Sequence, residues 1–226
     1  IRFKPAKAGG IEPNNLAAIC RARQGDERMA QTPLPDPRTL RLGVFFEWGL
    51  GIVALALAWL FGVRLGDQLG RDAHSILIAI ARGVLATLPM LVIYGLLIRS
   101  RWPPLRRLRR QVQQLVRHII HNASLLDIAA LSLFAGVGEE LLFRGVIQSL
   151  AIRWTTPEIG LVFASVIFGA AHAISKTYFI LATLVGAYLG WLAIYFGELI
   201  TPITAHALYD FFVLWWISRK WRNDAA

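Results

Sequence analysis

Cysteine is almost absent. The 226 residues carry only Cys20, so no disulfide can close within the chain and no CxxC pair is available for a structural zinc. Charge is also scarce, at 17% of residues against about 25% in an average soluble domain. Acids are the scarcer kind, with 14 Asp and Glu against 24 Lys and Arg. No stretch alternates polar with apolar residues as a half-buried strand does, and no internal repeat or low-complexity tract is present. The polar first 42 residues lack the apolar core of a signal peptide. These absences exclude a disulfide scaffold, a collagen-like chain and a disordered one.

What is present is apolar surface in long runs: 56% of residues are hydrophobic and the mean hydropathy is +0.51. Six apolar segments cover residues 43–63, 76–98, 125–152, 158–173, 177–197 and 199–217. A helical span needs about 20 residues, so the third is long and the fourth short. Glu47 interrupts the first near its start, and Arg82 and Pro89 lie inside the second. Without a barrel pattern, helices are the spanning solution. The expected fold is all-α, a polytopic membrane helix bundle of about six transmembrane helices.

Charge placement orients it. Residues 99–124 hold Arg99, Arg101, Arg106, Arg107, Arg109, Arg110 and Arg117 and no acid. Both ends of the chain are basic, whereas residues 64–75 balance Arg64 and Arg71 against Asp67 and Asp72. Basic loops stay cytoplasmic, so both termini and the 99–124 loop are expected there, in a multi-pass protein of the cell membrane. Within that loop Leu105, Leu108, Val112, Leu115, Val116, Ile119 and Ile120 keep a helical period, which predicts an interfacial helix on the anionic leaflet. The charges cluster between apolar runs, which favours the bilayer over nucleic acid as the partner. The predicted organisation is a polar tail over 1–42 with one short helix near 16–23, two spans over 43–98, the basic loop over 99–124, a four-helix core over 125–217 and a basic tail over 218–226.

An ionisable group at mid-bilayer costs on the order of 2.5–3.5 kcal/mol on insertion scales. The last four segments nevertheless contain Glu139, Glu140, Arg144, His172, His206 and Asp210. Glu140 and Arg144 stand at i and i+4 with the acid first, the better order for an ion pair. Glu139 lies about 100° around the helix and is free to face a cavity, where a carboxylate serves as a general base. Phe168 and His172 share a helix face, as do His206 and Asp210, and Pro202 upstream is expected to kink the last helix. Each cluster alone has a structural reading, a buried ion network or a satisfied core histidine. Three spans that each bring one cluster are expected to turn them towards one another, because lipid does not accommodate them singly.

The ordered set EExxxR (Glu139, Glu140, Arg144), FxxxH (Phe168, His172) and HxxxD (His206, Asp210) resembles the CPBP family, which includes CAAX prenyl-protein endopeptidases, bacteriocin-processing proteins and Abi-type membrane proteins. The resemblance covers roughly residues 125–217. It implies an intramembrane glutamic endopeptidase that needs no metal or other cofactor. By the family pattern Glu139 and His172 activate water, and His206 with Asp210 stabilises the oxyanion, with Glu140, Arg144 and Phe168 in support. Asp210 stands where CAAX endopeptidases have Asn, and an ionised carboxylate donates no hydrogen bond. Its role is then either that of a protonated donor or that of a group orienting His206. The implied substrate is a membrane-associated or lipid-anchored protein or peptide. Two other readings stay open: a zinc protease on a His₂Glu set, and a non-catalytic immunity or transport protein.

Overall fold

The computed structural model describes residues 37–70, 72–120 and 123–224. Eight α-helices and no strand occur among them. They are α1 (Pro37–Phe61), α2 (Ala73–Arg99), α3 (Pro103–Ile120), α4 (Leu125–Glu140), α5 (Ser149–Trp154), α6 (Pro157–Ala171), α7 (Lys176–Phe196) and α8 (Ile200–Asp224). A 3₁₀ turn (Leu65–Gln68) joins α1 to α2, and a π-helical segment (Leu141–Gln148) joins α4 to α5 without a break. The expected helix near 16–23 lies outside the described residues.

The helix starts follow from local chemistry. Asp72 and Ser75 form a capping box on α2, as do Ser124 and Asp127 on α4, each satisfying end N–H groups that have no intrahelical partner. Thr156 caps α6, with Pro157 in the first turn. Pro202 does not kink α8. It falls in that helix's first turn, where its missing N–H leaves no bond unmade.

Four helices, α1, α2, α7 and α8, are long and apolar enough to cross a membrane. The chain is a polytopic helical membrane bundle. Of the other two expected spans, α6 has only 15 residues, and the unbroken α4–π–α5 rod carries Glu139, Glu140 and Arg144 within it. Against the expected boundaries, α1 begins at Pro37 within the expected tail, and α8 continues through the expected C-terminal tail as far as Asp224.

Small residues bring the helix backbones together, the usual solution where lipid supplies no hydrophobic drive between helices. A Cβ on Gly136 would lie 2.8 Å from Ala207 of α8, and one on Gly138 would lie 2.4 Å from the Glu47 carbonyl oxygen of α1. α4 is therefore wedged between α1 and α8 at the level of the acidic doublet. The helix α3 is amphipathic as expected. Leu108, Val116 and Ile120 are buried while Arg106, Arg107, Arg110 and Arg117 are exposed, although Leu115 faces outward with them.

Candidate active site

The acidic doublet ends α4, and the π segment begins at the next residue. π-Turns are rare and recur at functional sites. This one directs two side chains at one neighbouring helix: Arg144 donates to the Gly186 carbonyl of α7 (3.0 Å), and Gln148 donates to the Gly190 carbonyl one turn on (3.0 Å). A Cβ on Gly190 would lie 2.4 Å from the Gln148 amide oxygen, so any larger residue there would have to displace that side chain.

Glu140 is fully buried. Its Oε1 accepts from Arg144 Nη1 (2.8 Å) and from His206 Nδ1 (2.8 Å). The i,i+4 ion pair read from the spacing is present; the bond to His206, across 66 residues, has no counterpart in local spacing. Phe168 supports both groups. Its ring centre lies 4.3 Å from the Arg144 guanidinium carbon, 4.4 Å from the His172 ring and 6.0 Å from the His206 ring, with Phe143 edge-on at 5.1 Å.

His172 stands just past the last residue of α6, and the Phe168 carbonyl accepts from its Nδ1 (2.9 Å). A carbonyl only accepts, so Nδ1 carries the proton and Nε2 is left to take one. That nitrogen lies 3.5 Å from Glu139 Oε2, a buried oxygen with no hydrogen-bond partner. On α8, His206 Nε2 lies 3.5 Å from Asp210 Oδ2. All seven residues singled out in the sequence thus come together: Glu139, Phe168, His172, His206 and Asp210 line one cavity of about 560 Å³, and Glu140 and Arg144 back it.

The cavity also holds groups that spacing did not single out. Glu47 of α1, Ser132 of α4 and Tyr178 of α7 reach it, and Glu47 Oε2 and Ser132 Oγ are buried without partners. Glu47 was legible in principle, because a carboxylate inside an apolar span carries the same penalty as the others. The remaining wall is largely apolar, drawn from α2, α3 and α7 through residues such as Met90, Ile93, Leu97, Leu105, Val112 and Leu181. Among the described residues no three His, Cys, Asp or Glu side chains are arranged to hold a metal ion.

Residues 121–212 match the family model described as type II CAAX prenyl endopeptidase, Rce1-like. Over this segment the chain resembles the CAAX protease family. Over 97 residues the chain is 37% identical to the uncharacterized protein YpbD of Bacillus subtilis (strain 168), a match covering 42% of this chain and 47% of that protein. The chain thus spans about half the length of the curated relative it matches. No solved structure matches it. The CAAX-protease segment carries Glu139, Glu140, Arg144, Phe168, His172, His206 and Asp210, whereas α1, α2 and α3, which complete the cavity wall, lie outside it.

Proposed function

We propose that the chain is an intramembrane glutamic endopeptidase that hydrolyses peptide bonds of membrane-associated or lipid-anchored proteins or peptides without a metal. The observation that carries the reading is the opposition of Glu139 and His172, 3.5 Å apart, on the cavity that also receives His206 and Asp210. A water held against both from the cavity loses a proton to Glu139 or to the free Nε2 of His172. The hydroxide attacks a peptide carbonyl.

The oxyanion falls to His206. Carboxylates stand at both of its ring nitrogens, Glu140 at Nδ1 and Asp210 at Nε2, and donation from both requires the doubly protonated ring. That cation is the form that stabilises developing negative charge. The Nε2 N–H is then the donor to the oxyanion, and Asp210, 3.5 Å away and only an acceptor when ionised, favours the charged ring without itself contacting the oxyanion. The apolar wall from α2, α3 and α7 fits the membrane-embedded part of a substrate.

Glu139→Gln keeps the volume and removes the base. A positioned base contributes about 10²–10⁴-fold, so cleavage of a membrane-anchored peptide by this variant in vesicles should fall by at least about a hundredfold. Undiminished turnover would refute the reading. The same assay with a strong chelator separates it from the zinc alternative: activity that is lost, and restored by zinc alone, would reverse the choice.

A further inference from the structure

Glu47 enters the cavity from α1, outside the CAAX-protease segment. Its backbone is held closely, with its carbonyl oxygen so near Gly138 that a Cβ there would lie 2.4 Å away. Its position is therefore tied to the residue that precedes the acidic doublet. Its carboxylate, by contrast, is not tied. Oε2 is buried without a partner, and no ion pair holds it among the described residues.

The other three carboxylates of the cluster are each matched with a base. Glu140 has Arg144 and His206, Glu139 has His172, and Asp210 has His206. Glu47, the fourth carboxylate, has no such partner among the described residues. Arg109 of α3, the other cation of the lining, donates to the Ile98 carbonyl and pairs with no carboxylate among the described residues. Glu47 is half-buried with no cation of its own among the described residues, and burying an uncompensated carboxylate favours its protonated form.

We propose that Glu47 is a further catalytic residue, a neutral carboxylic acid that gives its proton to the leaving amine. The role rests on the endopeptidase reading. As the carbon–nitrogen bond of the tetrahedral intermediate breaks, the nitrogen takes the Glu47 proton and departs as a neutral amine. The proton removed from water, held on Glu139 or His172, then returns to Glu47. Water has been split between the two products, and every group of the protein is restored. The charged and titratable groups that share the cavity with Glu47 are Tyr94 (α2), Arg109 (α3), Glu139 (α4), His172 (α6), Tyr178 and Tyr188 (α7), and His206, Tyr209 and Asp210 (α8).

The test uses the full chain in vesicles and two substrates with the same acyl part. One is a peptide amide. The other is a phenyl ester, whose leaving group departs as an anion and needs no proton. Glu47→Gln should slow amide cleavage by about a hundredfold, the low end for a general acid, and leave ester cleavage near wild type. Glu139→Gln should slow both. Equal loss on the two substrates in Glu47→Gln would reduce Glu47 to a structural part and overturn the proposal, as would full amide activity. A wild type inert on both would overturn the endopeptidase reading and this role with it. An infrared spectrum gives a readout independent of turnover: the carbonyl stretch of a protonated carboxyl group should be present in wild type and lost in Glu47→Gln, and a band unchanged in the variant would refute the neutral acid.

Discussion

Arg144 shows how one side chain links the three motifs. It pairs with Glu140, donates to α7 and lies over the Phe168 ring. The contact with the ring is worth about 0.5–2 kcal/mol, whereas removing one partner of a buried ion pair costs about 3–5 kcal/mol. The ion pair therefore dominates. Arg144→Met alone should lower stability by about 3–5 kcal/mol in thermal unfolding followed in detergent, because Glu140 is left buried and charged. Adding Glu140→Gln should recover most of that loss, since a buried pair replaced as a unit is often neutral. Peptide cleavage should not recover, because His206 Nδ1 has then lost its carboxylate. Recovery of both would show that Glu140 serves Arg144 only. At this scale the local pairs were readable from spacing: Glu140 with Arg144, Phe168 with His172, His206 with Asp210. The bond from Glu140 to His206 was not, because contacts across 66 residues leave no periodic mark. Glu47 was noted in the sequence only as an interruption, since no second polar residue stands one turn away to mark its face.

Among the elements, α4 was legible as a long span holding the doublet, but its conversion to a π segment after Glu140 was not. Within residues 141–148 only Gly145 weakens an α-helical pattern, and a lone glycine does not by itself mark a π turn. The wider turn follows from tertiary bonds, Arg144 and Gln148 reaching Gly186 and Gly190. The glycines have different tolerances that can be tested. A Cβ on Gly138 would meet the Glu47 carbonyl oxygen at 2.4 Å, a backbone atom that moves only with α1, whereas a Cβ on Gly51 would find Gly138 at an ordinary 3.9 Å. Gly138→Ala is expected to lower stability by about 1–3 kcal/mol as an overpacking change. Gly51→Ala should be neutral or slightly stabilising, since alanine is favoured over glycine in a helix by roughly 0.5–1 kcal/mol. Unfolding midpoints of the two variants in one detergent decide it. Equal effects would mean that α1 is not pressed against α4 at this level.

For the molecule as a whole, packing sorts the helix ends into two sets. Leu40 at the start of α1, Val116 and Ile120 of α3, Ile128 early in α4 and Ile217 late in α8 share one cluster. Opposite it, Arg153 in the last turn of α5 donates to the Phe61 and Gly62 carbonyls at the end of α1, and Leu199 before α8 donates to Gln68. The first end carries Arg41, Arg99, Arg106, Arg107, Arg110 and Arg219; the second mixes Arg64, Asp67, Asp72, Arg153 and Glu158. The positive-inside rule predicts that the first end is cytoplasmic. α6 begins at the second end and, at about 1.5 Å per residue, rises only about 22 Å of the roughly 30 Å hydrocarbon core. With that orientation a helix this short is expected to end inside the membrane, with His172 below the cytoplasmic surface and within reach of Glu139. Orientation is open to direct test on a Cys20→Ser background. Arg107→Cys should react with an impermeant maleimide only in inside-out vesicles, and Gln68→Cys only in right-side-out ones. The opposite pattern would place the basic end outside and would oblige any substrate to approach the cavity from the extracytoplasmic face.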